Sequence, residues 1–243
     1  MRIMTFNIQH GLHYPTGTIA LERFSDLIRE QSVDVCGLNE VRGKGADRDY
    51  TEQVETLGNV LGFHRYFGEA IRVGGNNPYG NGVVSRYPFS RIETVPIPDP
   101  PQKTEKVYYE TRCVIQATIE VEDHEICLLI THMGLAREER KNAVATLCRL
   151  IDGTDLPIIL MGDFNTTPED SVLQPLFARM TDSDAAANVP NAPTFPSYEP
   201  NEKIDYLLYR GLTCQQSFTV SKVVSDHLAI VADFDIKGYN RRR

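Results

Sequence analysis

A mixed α/β domain follows from three features of the chain. Short apolar runs bounded by Gly, Pro and polar turns recur along the 243 residues, each too short to be a helix of its own. Between several of them lie segments whose apolar residues repeat at the i, i+3, i+4 spacing of an amphipathic helix. Two runs, 113–121 and 126–132, flank a polar turn and read as an antiparallel pair, so a sheet containing them is not purely parallel. With 41% hydrophobic residues, one sizeable core can form, and a single domain over 1–238 with a basic tail at 239–243 is expected.

The elements follow in order. Residues 2–8 alternate as a first strand, with the polar Asn7 near its end. A loop carries His10 and His13, both expected to be exposed. Ile19, Phe24, Leu27 and Ile28 mark one face of a helix over about 18–31. The second strand, 33–41, closes on Glu40-Val41. Asp49 and Glu52 have capping-box spacing, and Val54, Leu57, Val60 and Leu61 give the helix that follows a buried face. The Gly- and Asn-rich stretch 72–81 reads as a loop before a strand at 82–85. Pro96, Pro98, Pro100 and Pro101 enforce an irregular surface excursion.

Residues 113–121 alternate between apolar and polar, and the run 126–132 ends on His132. A helix over about 137–151 leads to a buried strand at 157–161, which empties into Gly162-Asp163-Phe164-Asn165. Thr167 suits an N-cap and Pro168 a first helical position, so a short helix is expected there. A Pro-, Asn- and Ala-rich stretch, 182–200, reads as a long surface loop. Strand 204–209 carries Asp205, and Ser225-Asp226-His227 introduces the last strand.

Charge and cysteine content narrow the function. A net charge of −8 opposes wrapping a long polyanion such as duplex DNA. Five cysteines without paired short spacings argue against a disulfide framework and a Cys-based zinc site, and Cys36, Cys113 and Cys127 read as core residues. No apolar stretch approaches the ~20 residues that span a bilayer. The first residues carry no leader features, so the cytoplasm is expected, or export if a leader has been removed.

Asn7, Glu40, His132 and Asp163 lie at or near strand ends, whereas Asp205, Asp226 and His227 lie at strand starts. In a mixed sheet the end of one strand lies beside the start of its antiparallel neighbour, so all seven can share one rim. Oxygen donors with few histidines suit Mg2+ or Mn2+ rather than zinc. Glu40 is the best ligand, helped by Asn7 and Asp226. Asp163 and the Asp205/His227 pair remain for water activation and charge stabilisation. These are the parts that hydrolysis of a phosphate ester by in-line water attack requires.

Thr5-Phe6-Asn7, Gly37-Leu38-Asn39-Glu40-Val41, Gly80-Asn81-Gly82-Val83-Val84-Ser85, Thr131-His132, Gly162-Asp163-Phe164-Asn165, Ile204-Asp205-Tyr206 and Ser225-Asp226-His227 resemble, in order, the motifs of the endonuclease/exonuclease/phosphatase superfamily. The resemblance implies a four-layer αββα sandwich like that of DNase I, with two packed mixed sheets flanked by helices. It implies that Asn7 and Glu40 bind the metal, with Asp226 a second acid near it. Asp163 would orient or deprotonate the attacking water, Asn165 would contact the scissile phosphate, and His132 would donate to a phosphate oxygen or the leaving group. Asp205 would orient His227, and Arg112 is similar to a basic phosphate contact of several branches.

Asn39 stands where the family commonly has Gln, and Gln9 where repair endonucleases carry a second metal-side Asp. Those enzymes also have Thr-Lys after the Glu and a Trp in the first motif; here Val41-Arg42 follow, and the chain has no Trp. The chain is therefore more similar to the sphingomyelinase, deadenylase and small phosphatase relatives, although no apolar hairpin for membrane contact is evident. The expected activity is Mg2+-dependent hydrolysis of a small or soluble phosphodiester or phosphomonoester. A nuclease is the second reading, with nucleic acid possible but not favoured, and a non-catalytic binding protein on the same scaffold is the third. Loops 9–17, 72–81, 96–108 and 182–200 are expected to set specificity.

Overall fold

The computed structural model describes residues 1–236; the basic tail expected at 239–243 lies outside them. In chain order the elements are β1 (Arg2–Asn7), β2 (Leu12–His13), β3 (Thr18–Ile19), α1 (Leu21–Glu30), β4 (Val35–Arg42), α2 (Gln53–Leu61), β5 (His64–Val73), β6 (Asn77–Ser85), β7 (Phe89–Pro96), β8 (Cys113–Val121), β9 (His124–His132), α3 (Arg137–Asp152), β10 (Ile158–Asp163), α4 (Gln174–Phe177), β11 (Thr181–Asp182), β12 (Asp205–Arg210), β13 (Thr213–Thr219) and β14 (Ile230–Asp235). Two six-stranded sheets run β13-β14-β1-β4-β6-β5 and β11-β12-β10-β9-β8-β7, and β2–β3 form a small separate pair. The pairs β1–β4 and β9–β10 are parallel and the other pairings antiparallel, so both sheets are mixed.

Strand periodicity explains the layering. Along β10, Ile159 and Met161 point between the sheets, where they meet Ile3, Val35, Val83 and Leu207. Ile158 and Leu160 point the other way, onto Leu147 and Ile151 of α3 and Leu176 of α4. On the outer face of the first sheet, Phe6, Leu38 and Val84 pack against Phe24 and Leu27 of α1 and Leu57 of α2. The result is the expected αββα sandwich. Both faces of the central strands are buried, which is why they read as unbroken apolar runs.

Several boundaries differ from the sequence reading. The stretch 72–81 is not a loop: β5 and β6 pair as a hairpin whose turn is confined to 74–76. A Cβ on Gly80 would sit 2.1 Å from the Gly68 carbonyl oxygen, so this glycine permits close backbone approach within a strand. Strands β5, β7 and β13 do not stand out in the sequence, because all three are sheet-edge strands with mixed polarity. Helix α1 starts at Leu21, and Ile19 is exposed in the β2–β3 pair rather than on a helix face. Val60 is also exposed, and no capping box forms at Asp49–Glu52, since Glu52 is the N-cap without a side-chain bond.

Thr167 caps no helix. Asp170 caps instead, accepting from the Val172 amide and opening a 3-10 turn that precedes α4. The expected loop at 182–200 is partly buried, through Ser183, Thr194 and Ser197, and bridges to β13 at Ala187↔Ser217. Lys203 explains this order. It is buried, with Nζ 3.0 Å from Asp184 and 3.4 Å from Asp182, and so pins the segment to β12. The last strand starts only at Ile230, so Asp226 and His227 lie in the preceding loop. His10 and His13 are half-buried rather than exposed, and Gln53 Nε2 draws the loop inward by donating to the His10 carbonyl. All five cysteines are free, with Cys36, Cys113 and Cys127 buried as expected. No helix among the described residues is long and apolar enough to cross a membrane.

Two positions carry predictions for stability. Arg2 and Asp233 face each other across β1 and β14, and Arg2 Nε and Nη2 each donate to the carboxylate at 2.7 Å. These bonds hold the Asp233 carboxyl below its usual pKa. The stabilisation is therefore present above the unfolded-state value and lost as pH falls through the lower folded one. Asp233→Asn should cost about 1 kcal/mol in urea melts at pH 7, a deficit that closes below about pH 4. Gly162 has φ +146, and a Cβ there would lie 1.8 Å from the Thr131 carbonyl oxygen of the parallel neighbour β9. Gly162→Ala should destabilise the fold by about 3 kcal/mol or more, measured by thermal unfolding.

Candidate active site

Strand register assembles the core of the site. Asp163, the last residue of β10, is aligned with His132 on parallel β9 and with Asp205 on antiparallel β12. Three polar residues far apart in sequence thus lie side by side across three neighbouring strands. On the other sheet, Asn7 is aligned with Asn39 on β4, next to Glu40. The β4–β6 ladder slips between Leu38 and Val41, and Glu40 takes φ +58 in this bulge. The bulge turns its side chain toward the rim.

The two sheets meet through these side chains. Asn7 Nδ2 donates to Glu40 Oε1 at 3.1 Å and to Asp163 Oδ2 at 3.0 Å. Asn39, buried beneath them, accepts from the Asp163 amide and donates to the Thr131 carbonyl and to Asn81 Oδ1. Asn81 in turn donates to the Cys113 carbonyl, so an amide chain ties β4, β6, β8, β9 and β10 together under the site. Buried amides need such partners, and here the partners hold the two sheets in register.

His227 reaches the same point from the loop before β14. Its Nδ1 donates to Asp205 Oδ2 at 2.9 Å, and its Nε2 lies 3.7 Å from Asp163 Oδ2. Burial opposes charge on this ring, but Asp205 and Asp163 outweigh it and hold the imidazole protonated, with its pKa raised to about 10. Burial lifts the Asp163 carboxyl to about 7 against the pull of His227, with Asp205 adding to the rise.

His132 behaves oppositely, because burial and then the charges of Arg112 and His227 keep it neutral. Arg112 Nη1 donates to His132 Nδ1 at 2.9 Å, which leaves the ring proton on Nε2, 3.4 Å from Asp163 Oδ2. Arg112 also pairs with Glu110 at 2.6 Å. The Asn165 side-chain amide donates to the Met133 carbonyl beside His132, while the Asn165 backbone amide donates to Asp163 Oδ1.

Glu40, Arg112, His132, Asp163, Asn165, Asp226 and His227 all line one cavity of about 500 Å³. Asn7 and Asp205 lie just beneath it, bonded to Glu40, Asp163 and His227. Every sequence-selected side chain is therefore at this one place. Tyr79, which bonds to Glu40, and Glu110 also line the cavity and had not been singled out; a tyrosine and a glutamate in polar stretches carry no periodic signal. Asn39 and Asn81 had appeared only as parts of motifs, although an amide within an apolar strand is itself a sign of a buried network.

The donors fit a hard cation. Asp163, Asp205 and His227 offer ligand atoms within 4.8 Å of one another, but Nδ1 of His227 is committed to Asp205. Glu40 and the half-buried Asp226, whose carboxyl is raised by burial and by the nearby charge of Glu40 against the opposing pull of His227, form the oxygen-only alternative. Asp205 Oδ1 is buried without a hydrogen-bond partner among the described residues, so the site holds more acceptor capacity than its described donors satisfy.

Residues 4–227 match the model of the Endonuclease/Exonuclease/phosphatase family. The chain belongs to this family. Its members are hydrolases of phosphate esters, generally dependent on a divalent metal. Solved structures agree on the fold. A family protein from Beutenbergia cavernae superposes with a TM-score of 0.78 at 24% identity, over 96% of this chain and 71% of its own. A mannosyl-6-phosphatase from Bacteroides thetaiotaomicron gives 0.78 at 14% identity, over 97% and 100%. The human Nocturnin catalytic domain with a bound sulfate gives 0.72 at 19% identity, over 97% and 94%. No curated protein sequence matches.

Proposed function

We propose that residues 1–238 form one catalytic domain, a magnesium-dependent phosphoesterase acting on a small or soluble phosphate ester. The observation that carries this reading is the convergence of Glu40, Asp163, His132 and His227, from both sheets, on a single cavity. Glu40, with Asn7 and Asp226, would hold Mg2+ or Mn2+. Bound there, a divalent cation would neutralise phosphoryl oxygens and lower the cost of charge at the leaving oxygen. Asp163 orients the attacking water and accepts its proton. His227, fixed by Asp205, donates to a phosphoryl oxygen, and His132, fixed by Arg112, does so from the other side. Asn165 and Arg112 contact the phosphate.

A nuclease is the weaker reading, since among the described residues Arg112 is the one Arg or Lys that lines the cavity. The free state of all five cysteines suits the cytoplasm as the compartment. The test is hydrolysis of p-nitrophenyl phosphate and bis(p-nitrophenyl) phosphate with Mg2+, with and without EDTA. Turnover that is lost with EDTA and returns with Mg2+ is expected. Turnover indifferent to EDTA would remove the metal, and absence of turnover at any metal concentration would remove the enzyme.

A further inference from the structure

The outer wall of the cavity differs in character from its floor. Tyr108, 66% exposed, and Leu135, 43% exposed, stand on one part of it. Phe195 stands on another, its ring 4.8 Å from that of His227. Phe195 and Glu202 are bridged by backbone bonds in both directions, at 3.0 and 2.9 Å, so ring and carboxylate are presented as a fixed pair. Glu110 is held from behind: its backbone amide donates to buried Glu139, whose other oxygen accepts from the Ala136 amide at the start of α3. Glu110 is thereby placed beside Arg112.

The charge balance is one-sided. Among the described residues, five carboxylates line the cavity (Glu40, Glu110, Asp163, Glu202 and Asp226) against two cationic groups, the Arg112 guanidinium and the His227 imidazolium on its floor. One phosphoryl group finds a cation here. A second or flanking phosphate would face Glu110 and Glu202, and like-charge juxtaposition excludes it. Carboxylates accept hydrogen bonds from hydroxyls, and aromatic rings supply flat apolar faces for the carbon skeleton that bears them.

We infer that Tyr108, Phe195, Glu110 and Glu202 form a leaving-group subsite selecting a neutral, hydroxyl-rich alcohol that carries a single phosphate. This rests on the phosphoesterase reading above and names its substrate class. A free sugar phosphate and a nucleoside monophosphate share this chemistry.

The experiment compares kcat/KM, with Mg2+, for glucose 6-phosphate, AMP, phosphoethanolamine, a single-stranded oligonucleotide and the two nitrophenyl esters. Glucose 6-phosphate or AMP should exceed both nitrophenyl esters by about 10-fold or more, and the better of the two identifies the source. Glu202→Gln and Tyr108→Ala, both at exposed positions, should each shrink that preference by about 10-fold, the loss of one hydrogen bond to a charged group or one ring contact. Preference for phosphoethanolamine or the oligonucleotide, or a preference unmoved by both substitutions, overturns the subsite while leaving the phosphoesterase intact. No turnover of either nitrophenyl ester overturns both.

Discussion

Asp163→Asn is expected to leave a folded protein whose kcat on bis(p-nitrophenyl) phosphate has dropped about 100- to 10,000-fold, the range that one positioned proton acceptor supplies. The substitution keeps the shape and keeps Oδ1 as acceptor for the Asn165 amide at 2.8 Å. It replaces the charged, basic oxygen that accepts from Asn7 and faces His132 and His227 with an amide nitrogen, which donates and cannot accept a proton. Stability should fall by about 1–3 kcal/mol, because the Asn7 amide loses its acceptor and His227 loses a charge partner. The cost is offset in part, since a carboxyl that burial pushes up to about 7 is costly to ionise in place. The two readouts separate the explanations. Loss of activity in a variant that still unfolds cooperatively well above the assay temperature assigns Asp163 to the chemistry, whereas a variant unfolded at the assay temperature would make it structural. Activity within a few-fold of the parent would remove Asp163 from the reaction.

The polar residues of the site were legible because each breaks an apolar run. Asp163, Glu40 and His132 interrupt buried strands, where an isolated charge or imidazole has a desolvation cost that packing alone does not return. Their placement at strand ends, with Asp205 at a strand start, was sufficient to bring them to one rim. The register that aligns Asp163 with both His132 and Asp205 could not be read, since it depends on pairing across chain separations that local pattern does not encode.

The hairpin β5–β6 was hidden for a related reason. Gly80 and its neighbours look like turn residues until Gly68 is known to lie against them. The order in 182–200 was equally hidden, since it comes from Lys203, a lysine that sequence statistics place at the surface. Helix boundaries shifted where a side chain further along made the bond, as Asp170 does in place of Thr167.

Glu40 carries the second large effect, because its backbone and its side chain pull in opposite directions. It occupies the left-handed region at φ +58, unfavourable for a residue with a Cβ, within the bulge that aims its carboxylate at the cavity. Glu40→Gly should therefore stabilise the fold by about 1 kcal/mol, since glycine adopts this conformation without the steric penalty. The same change removes the proposed principal metal ligand, so hydrolysis should fall to background and calorimetry should detect no Mg2+ binding in the millimolar range. Glu40→Gln separates the two contributions: it retains the strain and the bond from Asn7 while discarding the charge, and should match the parent in unfolding but not in metal affinity. A glycine variant less stable than the glutamine one would show that contacts of the Glu40 side chain, such as the bond to Asn7, outweigh the strain. The bulge would then be a consequence of packing rather than a distortion held in place for binding.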